Sequence, residues 1–293
     1  MSCLNKVFLV TGSTDGIGLH TAQRLAREGA TVLVHGRSEA RVQQAVQQVQ
    51  EAGASAGGTA RGFTEDLASL EGVRRLADSV VKDSPRIDVL INNAGVYEKG
   101  LRKSQVGAAS LQHPFPSVTA TLWDVQDGFE LTWAVNVAAP FLLTACLLPA
   151  VTERVVNVAS ISAASSIDFG NLQQERGYSA HDAYSLSKLA DILFTFELAD
   201  RLARAGSAVT CNCLDPGTVN TKMLAAGWGN IGIRLQDANN EFQVATDPAL
   251  AAVSAAYFVG GRRTRAPSCC NDAAMRRRLW GVLEEQTGAV WSV

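Results

Sequence analysis

A short β-rich run, Lys6 to Thr11, ends in a turn holding three glycines, and an apolar-periodic helix follows at once. The turn reads Thr11-Gly-Ser-Thr-Asp-Gly-Ile-Gly18, and Ile17, Ala22, Leu25 and Ala26 keep helical spacing until Gly29. Gly12 permits a tight turn after a strand, Gly16 lets the backbone approach a phosphate, and Gly18 lets the helix pack against a sheet. The free N–H groups of the first helical turn then face the anion. The candidate phosphate cradle is therefore Gly12, Ser13, Thr14, Asp15, Gly16, Ile17 and Gly18. Three glycines alone also suit a purely structural turn; their place between strand and helix favours the cradle. The spacing differs from the common dinucleotide fingerprint, and the Gly-Lys-Ser/Thr ending of a P-loop is missing.

Strand and helix patterns alternate beyond this turn. Thr31–His35, a run near Ala60–Thr64, Ile87–Asn92, Arg154–Ala159 and Ala208–Leu214 read as strands. Glu39–Ala52, Leu70–Val81 and Tyr184–Leu202 read as helices. Strands without polar alternation are expected where helices cover both faces, so the fold class is α/β, a doubly wound parallel sheet. No stretch resembles an interdomain linker, and residues 1–293 read as a single domain. Irregular segments interrupt it at Glu98–Trp123, a surface excursion, and at Gly217–Asp247, a substrate loop. The apolar stretch Ala134–Val151 contains Asn136, Pro140, Thr144 and Pro149, and reads as a kinked buried helix rather than a bilayer span.

Apolar residues make up 47% of the chain and charged residues 18%, which excludes a disordered chain. A net charge of −2 gives no attraction to nucleic acid or an anionic membrane. The six cysteines and four histidines form no metal-ligand spacing, so no metal is expected, and unpaired thiols fit a reducing, cytoplasmic setting.

Tyr184 and Lys188, four apart, share one helix face. An ammonium beside a tyrosine hydroxyl favours its ionised form and lowers its pKa from about 10, suiting proton transfer to a new alkoxide. An amphipathic helix with an exposed lysine is the plain alternative. Ser160 follows the strand Arg154–Ala159, where ligand sites of open α/β sheets gather, and its hydroxyl can anchor a substrate oxygen. Ser162 is its rival.

Thr11–Gly18, Asn92-Asn-Ala-Gly95 and Tyr184-Ser-Leu-Ser-Lys188 stand in the order found in the short-chain dehydrogenase/reductase family. The chain resembles that family from about residue 5 to about residue 260. Asp127-Gly-Phe-Glu-Leu, Arg154-Val-Val-Asn-Val, Ser187-Lys-Leu-Ala-Asp-Ile-Leu-Phe and Arg277-Arg-Leu-Trp are similar to the retinol dehydrogenase and WW-domain oxidoreductase branch. The resemblance implies a single-domain Rossmann fold and a catalytic tetrad of Asn136, Ser160, Tyr184 and Lys188. In it Tyr184 is general acid or base, Ser160 the oxygen anchor, Lys188 the ribose holder, and Asn136 the support of a water relay.

The resemblance also implies that Asp66 and Leu67 flank the adenine, and that Asn93, Ala94 and Gly95 lie beside the adenosine ribose. Pro216, Gly217, Val219 and Thr221 resemble the stretch that holds the carboxamide and pyrophosphate. Gly36 stands where an acidic residue would grip the NAD ribose, so nothing there repels a 2′-phosphate, and Arg37 follows to bind it. NADP(H) is the expected cofactor. NAD(H) is the alternative, because the glycine-rich turn supplies no second basic group. Two departures stand out: Val-Ala-Ala-Pro after Asn136, and Asp215 before Pro216. The expected function is NADP(H)-dependent interconversion of an apolar carbonyl and its alcohol; a dinucleotide-binding redox-sensing scaffold is the alternative. No membrane anchor is expected before the first strand. The helix Tyr184–Leu202 either builds a homodimer interface or covers its own sheet.

Overall fold

Seven strands run parallel: β1 (Val7–Val10), β2 (Thr31–Gly36), β3 (Thr59–Thr64), β4 (Ile87–Asn92), β5 (Val151–Val158), β6 (Thr210–Leu214) and β7 (Ala256–Val259). A short antiparallel strand, β8 (Arg262–Thr264), closes one edge. This computed structural model describes residues 3–104 and 128–293. The excursion Glu98–Trp123 therefore lies, from residue 105 on, outside the described residues, as does Asp127.

The sheet order is β3-β2-β1-β4-β5-β6-β7-β8. The chain winds outward to β3 and returns to β4 beside β1, where Val10 is in register with both Val34 and Ile91. That reversal leaves a crevice at the carboxyl ends of β1 and β4, the place where open α/β sheets bind ligands. Every residue of β4 and β6 is buried, as helices on both faces require. The edges are polar instead: β3 is largely exposed and β8 presents Arg-Arg-Thr to solvent.

Two apolar layers sandwich the sheet. One holds α1 (Gly16–Arg27), α2 (Glu39–Gly53) and the short α8 (Asn240–Thr246). The other holds α3 (Leu70–Asp83), α4 (Leu131–Trp133), α5 (Ala139–Leu147), α6 (Ala180–Arg204) and α9 (Ala273–Thr287). Between α4 and α5 the backbone widens into a π turn, Ala134–Ala138, which carries Asn136. Pro140 in the next turn has no N–H to donate, so the kink expected there is accommodated without ending the helix. By length and mean hydropathy, 1.8, Leu131–Ala150 is apolar enough to cross a membrane, yet 89% of that window is buried inside the protein. It is a core helix.

Three elements differ from the sequence reading. The segment Gly217–Asp247 is not structureless: it contains α7 (Lys222–Trp228), capped by Thr221, and α8. Both helices have seven residues, too short to show an apolar period. Beyond residue 255, Ala-Tyr-Phe-Val and Arg-Arg-Thr flank Gly260-Gly261, whose φ values of 56° and 73° make the hairpin between β7 and β8. Finally, the six arginines between Arg262 and Arg278, whose charge alone points to a solvated face, are not all solvated. Arg276 is largely buried, ion-pairs with Asp200 and donates to the Cys270 carbonyl at 2.9 Å.

The long apolar run of α6 is covered within the chain. Trp280 and Trp291 each place a ring 4.9 Å from Phe141, and Arg201 sits 4.1 Å over Trp280. Replacing Trp280 by alanine should therefore cost about 3–5 kcal/mol in a urea unfolding experiment. Arg277→Ala, at an exposed site on the same helix, should stay within about 0.5 kcal/mol of the parent.

Candidate active site

The glycine-rich turn is fastened to the end of β4. Thr11 Oγ1 accepts the N–H groups of Asn93 and Ala94, each at 3.0 Å, and Asn93 Nδ2 donates to the Thr11 carbonyl at 2.6 Å. Asn93 thus holds the turn itself in place. Gly12, at φ 66°, lies so close to Ala94 that a Cβ would meet its Cα at 2.8 Å. Gly36 is equally confined, with Thr14 Cγ2 at 2.5 Å from any added Cβ. At Gly18 the space is taken by the Asn93 amide and the Gly12 carbonyl, so that glycine serves the turn rather than packing on the sheet.

His35, at the end of β2, completes this frame. Its Nδ1 accepts the Gly12 N–H at 3.2 Å, its Nε2 faces the Glu65 carbonyl, and its backbone N–H donates to Ser13 Oγ. Burial pushes its pKa down to about 4, which keeps the ring neutral and able to accept. Ser13 Oγ also donates to the Val10 carbonyl at 2.7 Å.

The four predicted catalytic residues are all buried, between 1% and 8% exposed. Lys188 Nζ donates to the Val158 carbonyl at 2.7 Å and to Asp191 at 2.9 Å, and lies 5.8 Å from the Tyr184 ring centroid. Burial works against the ammonium, but Asp191 outweighs it and holds the Lys188 pKa above its ordinary value. Asn136 spans the neighbouring loop: its Oδ1 accepts the Val96 N–H at 2.8 Å, while its Nδ2 donates to the Val96 carbonyl and to Ser187 Oγ. Its amide is thus spent on positioning Val96 and Ser187. A Cβ on Gly95 would meet Asn136 Oδ1 at 3.5 Å and Lys188 Nζ at 3.9 Å, so the loop, Asn136 and Lys188 converge. Ser160 joins from the end of β5, where its Oγ accepts the Ser162 N–H, and Ala164 donates to the Ser185 carbonyl of α6 at 2.9 Å. This places Ser160, and not Ser162, as the buried hydroxyl.

Asp215, a departure from the resemblance, turns out to be a brace. Its two oxygens accept the N–H groups of Ile161 and Gly217, both at 2.8 Å, and tie the Ser160 loop to Pro216-Gly217. Val219 is buried, and Thr221 caps α7 while its methyl group lies 3.6 Å from a Cβ built on Gly16. Arg37 is exposed and makes no ion pair among the described residues. Asp66 caps the Ala68 N–H, and Leu67 is buried under it.

Several site residues escaped the sequence reading. Asp191 was read only as part of a resemblance. Arg41 and Lys222 both reach Asp15 Oδ2, at 3.0 Å and 2.6 Å, so the turn does face basic groups. Tyr97, His181 and Trp228 pack around Tyr184, with Tyr97 Oη 2.7 Å from His181 Nδ1. Only the residue types of these aromatics were visible in sequence, because they come from three separate segments.

The profile described as short chain dehydrogenase matches residues 6–229. The chain belongs to that family. Its fold is the family's Rossmann fold, and its sequence falls in the retinol-dehydrogenase-like branch. It is 33% identical to retinol dehydrogenase 14 of Mus musculus over 310 residues, covering 97% of this chain and 86% of that one. Against polyprenol dehydrogenase of Homo sapiens the figures are 31% over 311 residues, covering 98% and 86%. A solved structure of an uncharacterised Mycobacterium paratuberculosis protein superposes with a TM-score of 0.77 at 29% identity, covering 100% of this chain and 97% of the other. A blue fluorescent protein from a metagenomic library, solved with NADPH, gives 0.64 at 25%, covering 89% and 98%.

His35 makes the turn acid-sensitive. A neutral imidazole is favoured in the folded state, so stability is full above the unfolded pKa of about 6.5 and is lost as pH falls toward about 4. The loss should approach about 3 kcal/mol. His35→Gln keeps an acceptor without titrating, and its melting temperature should fall less than the parent's between pH 7 and pH 4.

Proposed function

We propose that this chain is an NADP(H)-dependent oxidoreductase that interconverts an apolar carbonyl and its alcohol, with Tyr184 as general acid and base. One observation carries the reading: the buried Lys188 ammonium, pinned by Val158 and Asp191 beside the Tyr184 ring. An unused buried charge of this kind costs several kcal/mol, and a catalytic pair gives it a purpose.

The residues fit a nicotinamide dinucleotide. Gly12 and Gly36 leave a cradle that a Cβ would fill, and α1 offers its first turn of N–H groups to phosphate. Gly12 to Gly18 would hold the pyrophosphate, Asp66 to Leu67 and Asn93 to Gly95 the adenosine side, and Pro216 to Thr221 the nicotinamide side. When bound, the nicotinamide supplies or accepts hydride at the substrate carbon. The remaining work falls to the protein. Ser160 orients the substrate oxygen through its hydroxyl, Tyr184 gives that oxygen its proton in reduction and removes it in oxidation, and Lys188 favours the anionic side of that transfer. Asn136 fixes the loop at Val96 and the helix at Ser187, so Tyr184 cannot drift.

Three features support NADP(H) over NAD(H). Gly36 places no carboxylate at the end of β2, Arg37 stands there unpaired among the described residues, and Arg41 adds a second guanidinium. The NADPH named in one related structure agrees. For the substrate, the wall formed by Tyr97 and Trp228 is aromatic, and the related proteins are named for retinol and polyprenol.

Tyr184→Phe should lower turnover of a carbonyl panel at least about a thousandfold while NADPH titration is unchanged within about twofold. Retained turnover would remove Tyr184 from the mechanism. If the parent protein binds NADPH tightly and consumes none across aldehydes, ketones and quinones, the non-enzymatic scaffold replaces the enzyme. Arg37→Ala should weaken NADPH about tenfold or more and NADH hardly at all, as the loss of a charged hydrogen bond to phosphate predicts.

A further inference from the structure

Six carboxyl groups are buried among the described residues, and five of them are answered. Glu130 accepts the N–H groups of Thr132 and Trp133, and Asp215 accepts those of Ile161 and Gly217. Asp88 holds Val7 and Arg86, Asp191 holds Lys188, and Glu197 holds Arg201. Glu241, in the first turn of α8, is 2% exposed, and neither of its oxygens has a hydrogen-bond partner. A carboxylate left that way is far costlier than a carboxylic acid, so the folded protein keeps the proton on it. Burial pushes its pKa up to about 8.

Among the described residues, no charge packed against α8 is placed to relieve an ion there. From α1, Thr21 offers only a hydroxyl, without closing a hydrogen bond. On the same helix Arg24 is spent on the Ala238 carbonyl, Asn239 and the Phe242 ring, and His20 faces Ala238. Arg154 of β5 donates to the carbonyls of Val244 and Asp247, at the other end of α8. Asp215, beyond β6, is itself acidic, and Asp247 caps the Ala249 N–H. From β7 come the apolar side chains of Ala256 and Phe258.

The first residue of α8 joins the helix to the catalytic end of the sheet. Asn240 Nδ2 donates to the Asp215 carbonyl at 3.0 Å, and Asp215 is the brace between the Ser160 loop and Pro216-Gly217. We propose that Glu241, as a neutral carboxylic acid, is a positioning residue: it seats α8 against α1, and through Asn240 and Asp215 it holds the Ser160 loop in place. Its effect on turnover rests on the oxidoreductase reading given above. Loss of the proton leaves an unanswered anion between α1 and α8, which water reaches only if α8 lifts. The Asn240 bond then slackens, and the Ser160 loop with it. Stability from this group is full below the ordinary glutamate value of 4.5 and is lost as pH rises toward about 8.

The test uses the purified full chain from pH 5 to pH 9, as the parent and as Glu241→Gln, which keeps the shape without titrating. The parent's melting temperature should fall behind that of Glu241→Gln by at least about 5 °C between pH 5 and pH 8. Hydrogen exchange read by mass spectrometry should quicken above pH 8 in residues 238–247 and 159–163 of the parent, relative to Glu241→Gln at the same pH. With NADPH and a carbonyl that the parent reduces, the two kcat values should agree within about twofold at pH 6. At pH 9 the parent should be about tenfold slower, since a group with a pKa of about 8 is then only about one-tenth protonated. Asn240→Ala should keep the alkaline change in 238–247 and lose it in 159–163. Parallel pH responses of parent and Glu241→Gln in melting, exchange or kcat would overturn the proposal. So would a Glu241→Gln protein already slow at pH 6, or a change in 159–163 that survives Asn240→Ala. A parent that reduces no carbonyl at any pH would instead sink the oxidoreductase reading, while melting and exchange still decide whether Glu241 seats α8.

Discussion

Lys188 is a charge removed from water, 4% exposed, and the site is arranged around keeping it there. Its hydrogen bonds to the Val158 carbonyl and to Asp191 offset a desolvation cost of several kcal/mol per ion. They also have a geometric effect. The first draws α6 onto the carboxyl end of β5, and Ser160 follows Val158 by two residues. The second keeps the ammonium on the face that carries Tyr184, one turn earlier. Gly95 borders the ammonium, and a Cβ built there would lie in ordinary contact with it at 3.9 Å.

A polar ladder stiffens the sheet beneath this charge. Asn92 donates to Thr144 and Asn157, and Asn157 donates to Thr195, so β4, β5, α5 and α6 are cross-linked in the core. Asn92 Oδ1 is buried without a partner, while the amide donors of Asn92 and Asn157 all find acceptors. Thr11 and Asn93 do the same between β1 and β4. One side of the crevice is consequently hard. The other side is α7, which has no fully buried residue and is tethered by an ion pair and ring contacts. Lys188, Asn136 and Ser160 sit on the hard side, and the aromatic ring of Trp228 sits on the soft one.

Legibility in the sequence followed the range of the interactions. The strand–turn–helix at Lys6 to Glu28 was readable because its glycines answer to local constraints, a left-handed φ at Gly12 and Gly16. Strands β4, β5 and β6 were readable as apolar runs. The pair Tyr184 and Lys188 was readable because helical spacing alone puts both on one face. By contrast, β7 and β8 were passed over, since a four-residue strand and a three-residue strand show no period. The helices α7 and α8 were hidden for the same reason. Gly18 was assigned to sheet packing, but its neighbour is the amide of Asn93, seventy-five residues away.

The sequence by itself, which left Ser160 and Ser162 as rivals, determined the α/β class, the glycine-rich turn between strand and helix, and the shared helix face of Tyr184 and Lys188. These depend on periodicity, on φ, and on residue type, all of which act over a few positions. Tertiary structure alone decided that Asp191 neutralises the lysine, that His35 holds Gly12, and that Asp215 braces two loops. It also brought Asp15 to Lys222 across 207 residues of chain. Each of these contacts depends on where two distant backbones end, and a side chain's charge carries no record of the partner the fold will bring to it.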